Sequence, residues 1–165
     1  MELIQNVQTA NRKDKLPDIE IRAFDFFTVL VDGWPLHFRR SASRQILAYL
    51  VHHRGAVVSK EALVDEVFNE ERYDEKVEYR IHVALVSLKE DLKRAGIDHI
   101  LYVNNNEYAV LPSAFRCDYY EFLERGTFSI KDDPSNYMKD YDWALPRRLM
   151  LEDYYQNGTN KNLHL

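Results

Sequence analysis

One cysteine stands among 165 residues, Cys117. A lone thiol excludes an intrachain disulfide and a cysteine-built zinc cluster. A reactive thiol also needs basic neighbours, whereas this one is followed by Asp118 and flanked by aromatics, so it reads as a packing residue. Glycines are few as well, five in all, and none belongs to a phosphate-cradling loop. No nucleophile motif or acid–base pair stands out, and an enzyme is not expected. No apolar run approaches membrane-spanning length, and the N-terminal MELIQNVQTANRKDKLP lacks the apolar block of a signal peptide. A cytoplasmic protein with no membrane partner is the expectation. Excess positive charge is missing too. The net charge of −5 argues against a generic polyanion binder while leaving room for local basic patches. The adjacent His52 and His53 point about 100° apart on a helix and chelate poorly, so neither a metal nor any other cofactor is expected.

What is present fits a soluble globular protein, with 45% hydrophobic and 30% charged residues. The length suits one domain with a small appendage. Residues 1–17 are polar, end at Pro17 and read as a linker. In IEIRAFDFFTVLVDGWPLHF the Asp32-Gly33 pair sits between two apolar runs, a strong hairpin signal. The period then changes. SASRQILAYLVHHRG places Ile46, Leu47, Leu50 and Val51 on one helical face, with Ser41 or Ser43 available as a cap and Gly55 as a stop. After the short apolar step AVV comes SKEALVDEVF, a second helix capped by Ser59, with Leu63, Val64 and Val67 inward. The acidic loop NEERYD leads to a third helix over about 75–95, ended by Gly96. ILYV, a turn of asparagines and YAVL then form a closing hairpin.

This order predicts an α+β fold of winged helix-turn-helix type over residues 18–112: antiparallel strands, three helices and a hairpin wing. Residues 113–155 read as a short helical extension, in which Pro146 can open a helix, and residues 156–165 as a polar, flexible tail.

The segment DGWPLHFRRSASRQILAYLVHHRGAVVSKEALVDEVF, the long third helix and LYVNNNEYAVL together resemble the OmpR/PhoB-type winged-helix effector domain. The variant in SARP-type bacterial activators and related response regulators is the closer likeness. CDYYEFLERG and NYMKDYDWALPRRLMLEDYY resemble parts of the bacterial transcriptional activator domain that follows it there, in much abbreviated form. The resemblance implies a transcription regulator of a two-component type, acting on double-stranded DNA. Any phosphoacceptor aspartate is expected outside these residues.

On that likeness the third helix enters the major groove. Val77, Ile81, Leu85, Leu88 and Leu92 form its inner stripe. The outer face is read as Lys76, Tyr79, Val83, Val86, Ser87 and Glu90, flanked by Arg80 and His82. Where the family carries S-R-L-R with an arginine at the position of Ser87, this chain has V-S-L-K. Base edges are usually read by Arg, Lys, Asn or Gln, so the face is poor in donors, although valines can meet thymine methyl groups. An outward apolar stripe is also what a protein interface looks like. A dimerisation or partner-binding module on the same scaffold therefore stays open as the competing reading.

Arg39, Arg40 and Arg44 cluster where the strands give way to the first helix. With Ser59 and Lys60 at the second helix start they can hold phosphates by charge and by helix amides. Asn104, Asn105 and Asn106 at the wing can reach a minor groove, or serve the turn alone. The loop Asn69, Glu70, Glu71, Arg72, Tyr73, Asp74 corresponds, by resemblance, to one that touches RNA polymerase; its plain reading is a solvated connector.

Overall fold

The computed structural model describes residues 15–69 and 74–157. Strand β1 (Ile19–Arg22) pairs antiparallel with β2 (Thr28–Val31), and β2 with the two-residue β3 (Trp34–Pro35). Asp32 and Gly33, at φ 50° and 83°, make the turn between them. Both dihedrals are positive, as a two-residue hairpin matching the strand twist requires.

Helix α1 (Ser41–His52) buries Ile46, Leu47, Leu50 and Val51 as the periodicity predicts. Its start differs from expectation. Arg40 occupies the N-cap without a side-chain bond, and Ser41 is already helical. Ser43 is fully buried, its hydroxyl donating to the Ala84 carbonyl at 2.7 Å, so it ties two helices together instead of capping one.

Strand β4 (Val58–Ser59) leads into α2 (Lys60–Ala62), which widens into π-helical turns over Leu63–Phe68. Ser59 is the N-cap, its Oγ accepting from the Ala62 amide at 3.1 Å. Leu63, Val64 and Val67 are buried. Helix α3 (Glu75–Arg94) is capped by Asp74, whose carboxylate accepts from the Lys76 and Val77 amides. Its stripe of Val77, Ile81, Leu85, Leu88 and Leu92 is buried throughout. Strands β5 (Leu101–Asn104) and β6 (Glu107–Val110) form a hairpin through Asn105 and Asn106, at φ 44° and 63°. β6 also pairs with β4, giving a three-stranded sheet in the order β4-β6-β5.

The chain then returns to where it began. Strand β7 (Arg116–Cys117) pairs parallel with β1, Glu20 opposite Arg116 and Ile21 opposite Cys117, so the first sheet has the order β3-β2-β1-β7. Sequence reading had only an antiparallel meander there, because a two-residue strand has no period to detect. Helix α4 (Asp118–Arg125) follows, ended by Gly126 at positive φ, and the last described helix, α5, spans Leu145–Asn157. Gln156 and Asn157, assigned from sequence to the flexible tail, belong to that helix.

The extension shares a core with what precedes it. Tyr119, Phe122, Tyr137, Met138 and Leu151 are fully buried in the same cluster as Ile21, Ile46 and Leu50. The Asp118 carboxylate accepts from the Ala23 and Phe24 amides beyond the end of β1, the Met138 amide donates to the Ala23 carbonyl, and the Tyr120 hydroxyl donates to the Val51 carbonyl. Cys117 is buried in this seam, and burial followed by the Asp118 charge pushes its thiol far above the usual range. Among the described residues no helix is long and apolar enough to cross a membrane.

Candidate nucleic-acid interface

Helix α3 packs on α1 and leaves its opposite side open. Along that side Tyr79 is 69% exposed, Val86 40%, and Val83 is half-buried. The side chains line a groove of about 600 Å³ together with Arg39, Arg40, His82, Ser87 and Glu90. A smaller adjoining hollow of about 420 Å³ runs from Arg39 and Arg40 past Val83 to Arg80 and Phe68. Lys76 is exposed on the first turn.

Ser87 lines that groove but is largely buried in it, 6% exposed. It shares the groove with Arg39 and Arg40. Its hydroxyl is therefore less accessible than the sequence pattern predicts. The hydrophobic stripe alone fixes the helix axis, while the loop that covers one flank is set by contacts distant in the chain.

The arginines also sort themselves. Arg39 donates from its backbone amide and from Nε to Asp91, at 3.1 and 2.7 Å, and from its terminal nitrogen to Glu90. Asp91 is completely buried and takes a further bond from Arg94 at 3.0 Å. Hydrogen bonds to Glu90, then to Asp91, hold the Arg39 guanidinium above the ordinary arginine range. Arg44 leaves the predicted phosphate cluster. Its guanidinium donates to the Phe27 carbonyl and to Asp140, joining the first sheet to the extension. Arg40 is exposed and makes no ion pair among the described residues. Arg80 lies 5.9 Å from the centre of the Phe68 ring.

At the other end, three predicted elements meet. The Lys60 amide donates to the Asn106 carbonyl at 2.9 Å, and its ammonium lies 3.2 Å from Glu78 on the first turns of α3. Lys60 is thus largely covered, and Ser59 is committed to its cap. Asn104 ends β5, while Asn105 and Asn106 hold the positive backbone dihedrals of the turn with their side chains exposed. Of the loop matched to a polymerase contact, Asn69 closes the π-helical turns at φ 44° and Asp74 caps α3. Glu70, Glu71, Arg72 and Tyr73 lie outside the described residues.

His52 and His53 are packing residues of the seam with the extension. The His52 Nδ1 lies 2.8 Å from the Tyr137 hydroxyl, and both rings contact Tyr49.

No family description matches this sequence, and no curated protein does. The chain is similar to EmbR of Mycobacterium tuberculosis. That structure was solved in complex with a low-affinity phosphopeptide. The two superpose with a TM-score of 0.62 at 21% identity over 87% of this chain. The likeness establishes a mixed α+β, winged-helix-like fold. This chain matches 44% of the EmbR chain, under half its length.

Proposed function

We propose that the chain is the DNA-binding effector part of a bacterial transcription regulator, acting in the cytoplasm. In this reading α3 lies in the major groove of a duplex, and the β5–β6 hairpin is the wing. The observation that carries it is the open side of α3, lined by the uncommitted Arg40, with the hairpin turn held near the start of the helix through Lys60, which bonds to both Asn106 and Glu78. The winged-helix likeness supports the same reading.

Phosphate contacts then divide by how free each cation is. Arg40 can meet a phosphate without breaking anything. Arg39 must first leave Glu90, and Lys60 must leave Glu78. RNA polymerase contact through the loop at residues 69–74 and pairing of two copies on DNA belong to the same proposal.

The exposed apolar side chains of α3 favour the second reading, an interface for another protein or a second copy. Fluorescence anisotropy against a random-sequence duplex pool, repeated across salt concentrations, separates the two. Binding should weaken linearly in log–log form, and Arg40→Ala should reduce the slope by about 0.9. Arg39→Ala should reduce it less. Absence of duplex binding at low salt, with self-association lost in Val86→Asp, would establish the interface instead.

A further inference from the structure

The outer line of α3 runs Tyr79, Val83, Val86, Glu90, spaced i, i+4, i+7, i+11, and so lies along one strip of the helix. Its chemistry is unlike that of a side that reads bases by hydrogen bonds. Ser87 is buried, Asp91 is buried and bonded to two arginines, and Glu90 faces the Arg39 guanidinium. What the strip offers at its middle is the branched methyl groups of two valines and a tyrosine ring.

We propose that this strip reads the C5-methyl groups of the major groove, so that Val83 and Val86, with Tyr79 beside them, select thymine or 5-methylcytosine by apolar contact. The proposal rests on the DNA-binding reading above and names what the same surface recognises.

Three observations carry it. The groove is lined by the apolar Val83 and Val86 and by two arginines, of which Arg40 is unpaired among the described residues and Arg39 is held by Glu90 and Asp91. That pairing complements a duplex, whose phosphates flank a groove floor studded with methyl groups wherever thymine occurs. Valine on a helix is also held in one χ1 rotamer, so its methyl groups are already in place and little side-chain freedom is lost on contact. Finally, Val83 is only half-buried and Val86 is exposed, so both have apolar surface still to cover. Burying one methyl against such a surface is worth about 4-fold in affinity.

The test uses the whole chain. Duplexes selected from a random pool are resynthesised with deoxyuridine for thymidine, one position at a time, which removes only the C5-methyl. Anisotropy should show roughly 4-fold weaker binding for each contacted methyl. Replacing deoxyuridine by 5-methyldeoxycytidine paired with guanine should recover part of the loss. Val83→Ala and Val86→Ala proteins should bind thymidine and deoxyuridine duplexes alike at those positions, with the salt dependence of the parent protein. Equal affinity of the parent for both duplexes at every position, while it still binds DNA, overturns the methyl readout alone. Failure to bind any duplex overturns the DNA-binding reading with it.

Discussion

His52 is a base held neutral. Burial, then the charges of His53, Arg147 and Arg54, push its pKa down to about 3. Burial lowers His53 in the same direction. An unfolded chain takes up a proton at such a histidine near 6.5. The His52 contribution to stability is therefore complete above that pH and is lost as pH falls from there toward 3. Asp118 has the opposite sense. Burial lifts its carboxyl to about 6 although three backbone amides favour the anion. The folded protein then keeps a proton that the unfolded chain has released, so the contribution is complete below about 4 and is lost as pH rises through 6. Between about pH 4 and 6 the two effects offset each other, and stability should vary little. His52→Gln removes the larger part of one side of that balance, leaving His53. Urea titrations of this variant should show stability falling with rising pH across the window, by up to about 1.4 kcal/mol per unit. A variant whose profile parallels the parent would show that the two sites do not titrate as described.

At the level of elements, Asp91 joins the loop before α1 to the end of α3. It accepts from the Arg39 amide, the Arg39 guanidinium and Arg94 while fully buried. Bonds to a buried charged acceptor are worth about 1.5–3 kcal/mol each when one partner is removed. Asp91→Ala should lower the unfolding free energy by about 2 kcal/mol or more in chemical denaturation. It should also loosen Arg39 and steepen the salt dependence of the proposed DNA binding. Unchanged stability would mean that the loop is held by packing alone. Such joints mark the limit of what could be read in advance. The helices were legible because Ile46, Leu47, Leu50 and Val51, or Val77 through Leu92, repeat with the helical period. The hairpins were legible because Asp32-Gly33 and Asn105-Asn106 tolerate positive φ. The partners of Arg39 and Arg44 lie about 50 and 100 positions away, and no local pattern announces them. The open side of α3 was therefore recognisable, but which of its flanking cations were free to act was not.

For the whole molecule, the decisive fact is that the extension completes both the first sheet and the core. Ile21, Phe24 and Phe27 are buried, and Phe24 packs edge-on against Tyr119 and Phe122. A chain ending at Leu111 would lose β7 from the side of β1 and uncover these rings. It should be poorly soluble and melt well below the intact protein by differential scanning calorimetry. An equally stable truncated chain would show that residues 18–111 suffice. The pairing of Glu20 with Arg116 also sets an order in time. During synthesis β1 emerges about 100 residues before the strand that closes its edge. At about 5–20 residues per second the ribosome leaves that edge unpaired for roughly 5–20 s. An open edge beside apolar side chains is a template for another chain. The nascent protein thus depends longest on protection until the segment that carries β7 has been made.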